Sequence, residues 1–185
     1  MNSGNQQEAQ IIEKAISGDK QAFGRLYEQY FQQISEYLLI RSNNKEDAED
    51  MTEVVFMKAW KHLPGFGKKR EWNNFRAWLY RIAHNTLVDH YRTRKQTSSL
   101  SSDLENSPIK NEPGLLVLEN EEKKKMFQAI RNLDEISQNV IACRFFGGLS
   151  HKETALSIGI NENNVRVIQY RALKKIQELL REDDE

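Results

Sequence analysis

The stretch "NENNVRVIQYRALKK" sets Asn161, Asn163, Asn164, Arg166, Gln169, Arg171, Lys174 and Lys175 within about four helical turns. Asn, Gln and Arg present paired hydrogen-bonding groups that match base edges in a DNA major groove, and lysines neutralise phosphates. Val165, Ile168, Ala172 and Ile176 recur at helical spacing and would form the inward face. An amphipathic surface helix with solvated lysines would have the same composition. The residues just before it favour the DNA reading. Ser150 followed by Glu153 is a capping-box pattern. A short helix burying Ala155, Leu156 and Ile158 would follow it, with Gly159 for a tight turn and Asn161 as the next cap. Short helix, glycine turn and longer helix make a helix-turn-helix.

A second zone combines charge with aromatic rings. From Lys61 to Lys95 the chain holds Lys61, Lys68, Lys69, Arg70, Arg76, Arg81, Arg92, Arg94 and Lys95 against two acids, Glu71 and Asp89. Phe66, Trp72, Phe75, Trp78, Tyr80 and Tyr91 are interleaved. Positive charge with exposed rings suits single-stranded nucleic acid, since bases stack on rings while phosphates follow charge. The other use of such rings is core packing, expected for Phe75, Trp78 and Leu79. Phe66, Trp72 and Tyr80 stay open between the two uses.

Enzyme chemistry lacks its residues. His84 and His90 are six apart and fall on different faces of a helix, a poor metal pair. No glycine-rich phosphate loop, nucleophile elbow or zinc-ligand pattern occurs. The single cysteine, Cys143, sits in an apolar run and is expected to be a buried, inert thiol. The expectation is a protein that is not an enzyme and needs neither cofactor nor metal.

The elements that must position these residues are helices. The 185 residues carry a formal net charge of zero, so only local charge can point to nucleic acid. Hydrophobic residues make up 38% and charged residues 29%, which suits small helical units with much solvated surface. With only three prolines and an apolar repeat of three and four, the fold class is all-α. Asp19 would cap a helix over 21–41. "SNNKEDAED" opens a second, acid-rich at its start, with Ala48, Met51, Val55, Ala59 and Leu63 facing inward. A third runs from about Asn74 to Lys95. The serine- and proline-bearing stretch "QTSSLSSDLENSPIKNEPG" reads as a flexible acidic linker and marks a domain boundary. Helices over 119–132 and 136–146 lead into the helix-turn-helix. The expected division is a first domain over 1–95, a linker over 96–118 and a second domain over 119–185. No signal-peptide pattern and no membrane-spanning stretch is present, so a cytoplasmic protein without direct membrane insertion is expected. The chain closes on "REDDE", and no further C-terminal module is expected.

"DAEDMTEVVFMKAWKHL", "FRAWLYRIAHNTLVDHYR", an acidic linker and "LSHKETALSIGINENNVRVIQYRALKKI" follow one another in an order that resembles the extracytoplasmic-function (group four) sigma factors of bacterial RNA polymerase, in the sigma-70 family. The resemblance runs from about Ala22 to Leu180. It implies an alternative sigma factor that binds core RNA polymerase and directs promoter-specific initiation. It implies core docking by Asp47, Asp50 and Glu53, and capture of an unstacked minus-ten base by the Gly65–Asn74 loop, with Lys68, Lys69, Arg70, Trp72 and Asn73. Arg76, Arg81, Asn85 and Arg92 would then lie along promoter DNA. The second domain would read the minus-thirty-five element through Asn161, Asn163, Asn164, Arg166, Gln169, Arg171, Lys174 and Lys175. Partners implied are core RNA polymerase, promoter DNA and an anti-sigma factor. The chain departs from the family in carrying Val54 where a second acid is usual, and Asn163 and Asn164 where small residues are common. The alternative is a helix-turn-helix regulator acting without polymerase, which explains the C-terminal half but neither the acidic helix nor the aromatic loop.

Overall fold

The structure, a computed structural model, describes residues 3–42, 44–68, 74–100 and 121–182. Among these the regular structure is entirely helical. The expected acidic linker, save its first five residues, lies outside them, as do Lys69, Arg70, Glu71, Trp72 and Asn73.

Helix α1 (Ser3–Ile16) was not legible in the sequence. Its first six residues bring no hydrophobic side chain, and Ile11, Ile12, Ala15 and Ile16, towards its end, reach the core. Helix α2 (Lys20–Ser42) starts where expected, because Asp19 Oδ1 accepts from the backbone N–H groups of Gln21 at 2.8 Å and Ala22 at 3.1 Å. Helix α3 (Lys45–His62) is capped by Asn44, whose Oδ1 accepts from Glu46 N at 2.9 Å. Its predicted inner residues Ala48, Met51, Val55 and Ala59 are all buried, as is Leu63 in the turn that ends it.

Helix α4 (Phe75–Leu100) is capped by Asn74, whose Oδ1 accepts from Ala77 N at 2.8 Å. It runs past the expected end at Lys95. "QTSSL" holds neither proline nor glycine, so nothing in it stops a helix already propagating. Serine-rich composition was a poor stop signal here. Phe75, Trp78 and Leu79 are core, as expected, and Tyr80 joins them with no exposure. Phe66 packs half-buried against Phe75 and Trp78 at ring-centre distances of 5.7 and 5.1 Å, so it too is a packing ring.

The second half holds α5 (Glu121–Arg131), α6 (Glu135–Ile141), α7 (His151–Ile158) and α8 (Glu162–Glu182). Asp134 caps α6 by accepting from Ser137 N at 3.0 Å and Ser137 Oγ at 2.6 Å. Those bonds from Ser137 hold its carboxyl below the usual range. The helix expected over 136–146 changes character at Ala142, widening into a π-type turn through Phe146.

The halves pack directly on each other. The core built by Leu26, Ile34, Tyr37, Leu79 and Tyr80 also takes in Ala142, Cys143 and Leu149 from the second half. In return, Ile40 of α2 enters the cluster of Phe127, Ile130, Ile141 and Ile176. Burial is the main source of this cohesion, at about 25 cal/mol per Å² of apolar surface.

Candidate nucleic-acid interface

The helix-turn-helix is built by local chemistry. Ser150 Oγ accepts from Glu153 N at 3.2 Å, and Glu153 Oε2 accepts from Ser150 N at 2.6 Å, completing a reciprocal capping box. Gly159 sits at φ 73°, a left-handed conformation that ends α7 without a Cβ penalty. Asn161 Oδ1 then accepts from Asn163 N at 2.8 Å and starts α8. Val165, Ala172 and Ile176 turn inward.

The outer face of α8 leaves Asn163, Asn164, Arg166, Arg171, Lys174 and Lys175 exposed. Arg166 makes one contact along its own helix, to Glu162 at 2.8 Å, a pair worth about 0.3–0.5 kcal/mol when exposed. Two of the expected readers have other partners. Asn161 is a cap. Gln169 Oε1 accepts from Arg144 Nε at 3.0 Å and lies 3.0 Å from His151 Nε2, which ties α8 to the π-turn and to α7. Arg144 also donates to the Leu149 carbonyl, a structural role that sequence spacing did not reveal. Tyr170, 72% exposed, stands on the same outer surface between the basic residues.

The α4 surface differs. Asn85 and Arg92 are exposed, and so is Lys68 in the preceding loop. Arg76 and Arg81, by contrast, face α7. Arg76 Nη2 lies 3.2 Å from both Glu153 oxygens, and Asn74 Nδ2 donates to Glu153 Oε1 at 2.7 Å. Arg81 Nη1 donates to the Ser157 carbonyl at 3.4 Å. Burial acts to raise the Glu153 carboxyl. The Ser150 bonds, Arg76 and Asn74 together outweigh it and hold that carboxyl below its ordinary value.

On α3, Asp50 and Glu53 are exposed. Asp47 is half-buried, with Arg94 Nη1 at 3.3 Å and His90 Nε2 at 3.7 Å from its Oδ2. Val54 lies between these acids in a groove of about 510 Å³ separating α3 from α4. The structure thus places an acidic rim, a basic helix and a helix-turn-helix on one chain. Arg41, 8% exposed, lies at the end of the helix expected over 21–41. It bridges the halves by donating to Gln138 and, at 2.9 Å, to Asn139 Oδ1.

A helical body with an acid-lined helix, α3, is thus followed in the chain by a helix-turn-helix body. Comparison with known proteins gives the class of the chain. Residues 26–97 match the family model for Sigma-70 region 2, and residues 129–178 match that for Sigma-70, region 4. The RNA polymerase sigma factor YlaC of Bacillus subtilis is 30% identical, over 86% of this chain and 94% of its own. The ECF RNA polymerase sigma factor BldN of Streptomyces coelicolor is 32% identical over 94% of this chain, which spans 66% of that longer relative. Among solved structures, CnrH in complex with the cytosolic domain of CnrY aligns with a TM-score of 0.70 at 26% identity, over 94% of this chain and 96% of its own. The chain belongs to the sigma-70 family of RNA polymerase sigma factors, in the extracytoplasmic-function group. Among the described residues no helix is long and apolar enough to cross a membrane.

Proposed function

We propose that this chain is an alternative sigma factor that works in the cytoplasm, binds core RNA polymerase and directs it to a specific set of promoters. It contributes recognition and strand opening, and the polymerase supplies the bond-forming chemistry. The observation that carries this reading is the ordered pair of matched segments, region 2 over 26–97 and region 4 over 129–178, on one chain. Asp50 and Glu53 dock on the polymerase, and Asp47 orders the end of α4 through Arg94. Lys68, Lys69, Arg70, Trp72 and Asn73, with α4, hold the opened minus-ten region. The ring of Trp72 offers an extruded base a stacking partner. Asn163, Asn164 and Arg166 read base edges of the minus-thirty-five element, while Arg171, Lys174 and Lys175 meet phosphates. A protein inhibitor fits the same reading, since CnrH is held by the cytosolic domain of CnrY and another structural neighbour is a sigma factor in complex with the anti-sigma factor NepR.

The test is reconstituted transcription from a genomic library with purified core polymerase. Run-off products that start at a defined set of sites only when this chain is present support the reading. Sequence-specific duplex binding without polymerase, and no new start sites with it, would instead identify a regulator.

A further inference from the structure

The outermost line of α8 is not wholly polar. At about 100° per residue, Asn163, Val167, Tyr170 and Lys174 fall within about 60° of one another, opposite the buried Val165, Ala172 and Ile176. Asn163, Arg166, Val167 and Tyr170 stand at i, i+3, i+4 and i+7, the spacing by which a major-groove helix presents side chains to bases. Val167 and Tyr170 are the sixth and ninth residues of the helix, so they belong to its N-terminal part, which reaches base edges. Both are open to water. Val167 is 48% exposed, and Tyr170, at 72%, is the most exposed large hydrophobic residue among those described. A single exposed apolar side chain is ordinary on a protein surface. Here two stand on consecutive turns, between an asparagine and a lysine, along the outer line of a basic helix. Leu173, the other large hydrophobic residue exposed on α8, turns about a quarter-circle away from that line.

The apolar group that a base pair presents in the major groove is the C5-methyl of thymine. A valine side chain and a tyrosine ring both match it, while Asn163 and Arg166 beside them have hydrogen-bonding groups for neighbouring base edges. The surrounding cations, Arg171, Lys174 and Lys175, suit flanking phosphates. A protein groove would take a wider apolar face with fewer charges at its centre, so two apolar side chains among arginines and lysines fit a polyanion better. We propose that Val167 and Tyr170 read thymine methyl groups in the minus-thirty-five element, so that promoter choice rests on apolar contact as well as on hydrogen bonds. The proposal rests on the sigma-factor reading for the identity of the DNA. Burying one methyl group is worth about fourfold in affinity, less than a bidentate hydrogen-bonded pair. Asn163 and Arg166 therefore set the strict positions of the element, and Val167 and Tyr170 grade promoters by their thymines.

Uracil pairs as thymine does and lacks only the methyl group, which isolates the contact. The experiment takes a promoter recovered by run-off transcription and replaces each thymine of its upstream element, on either strand, by uracil in turn. Binding is measured by competition at one fixed salt concentration. Holoenzymes carry the wild-type chain, Val167→Ala, Tyr170→Ala, Tyr170→Phe or Leu173→Ala. The expected result is about fourfold weaker wild-type binding when uracil replaces a contacted thymine. Val167→Ala and Tyr170→Ala each bind the thymine promoter about fourfold more weakly and lose discrimination at one position. Tyr170→Phe restores the discrimination that Tyr170→Ala loses, because the ring and not the hydroxyl makes the contact. Leu173→Ala discriminates as the wild type does. Wild-type indifference to uracil at every position overturns the proposal, as does an upstream element without an A·T pair. Discrimination that survives in both alanine variants, or is lost equally in Leu173→Ala, also overturns it. Weaker binding of polymerase or of a protein inhibitor by the alanine variants, with methyl discrimination intact, assigns the line to protein docking and overturns the proposal while the sigma-factor reading stands. Absence of any start site that depends on this chain overturns the sigma-factor reading itself, and the proposal with it.

Discussion

The α4 and α8 surfaces are built from the same residue types, yet they stand in opposite states. On α8, Asn163, Asn164, Arg166, Arg171 and the two lysines face outward, and Arg166 touches only its own helix. On α4, Arg76 and Arg81 are held by a carboxylate and a carbonyl from α7. Basic composition alone does not separate a nucleic-acid surface from a seam between domains. What separates them is the supply of partners from the rest of the fold, here Glu153 for Arg76 and the Ser157 carbonyl for Arg81. Glu153 has a second role. It closes its own helix start and the seam with one side chain.

The contrast can be broken by mutation at each surface. The largest effect is expected beneath α4. Leu79→Ala, at a site with no exposure, should cost about 3 kcal/mol of unfolding free energy in a urea titration. Tyr170→Ala on the open face of α8 should stay within about 0.5 kcal/mol of wild type. Next, Arg166→Ala should weaken minus-thirty-five recognition by the holoenzyme by about 1–3 kcal/mol while leaving the melting temperature nearly unmoved. Unaltered promoter preference in competition transcription would remove Arg166 from the reading set. Ser150→Ala should cost about 1 kcal/mol by uncapping α7, measurable as a shift in the urea midpoint. The smallest effect is in pH. Glu153 titrates below its ordinary value of 4.5 in the folded chain, so it stabilises the fold above that pH and the contribution fades as pH falls through its lower folded value. The melting-temperature gap between wild type and Glu153→Gln should therefore be constant near neutrality and narrow below about pH 4.5.

Much of the fold was legible because short-range chemistry specified it. Asp19, Ser150 with Glu153, Gly159 and Asn161 each act within three residues of their place in the chain, and each was readable as a cap or turn. The inward faces of α3 and α8 followed from their spacing. Long-range partners were not legible. Nothing near Arg41 in sequence points to Asn139, and nothing near Arg76 points to a carboxylate 77 residues away. The π-turn at Ala142–Phe146 has no sequence signal, since its apolar run suits an ordinary helix equally well. Helix α1 was not legible because its large apolar residues, Ile11, Ile12 and Ile16, are confined to its last two turns. Tyr80 remained ambiguous for a related reason. A ring beside arginines serves either stacking or packing, and the long-range approach of Tyr37 and Gly147 decides for packing.

The proposed function is the choice of promoter for RNA polymerase, with α4 and α8 as the proposed DNA surfaces and the acidic face of α3 as the proposed docking surface. Its most direct test is run-off transcription with purified core polymerase on a genomic library, comparing the wild-type chain with Asp50→Arg. Defined start sites with the wild type, lost with Asp50→Arg together with co-purification of polymerase, are the predicted result. The same start sites with or without the chain, or undiminished polymerase binding by Asp50→Arg, would contradict it.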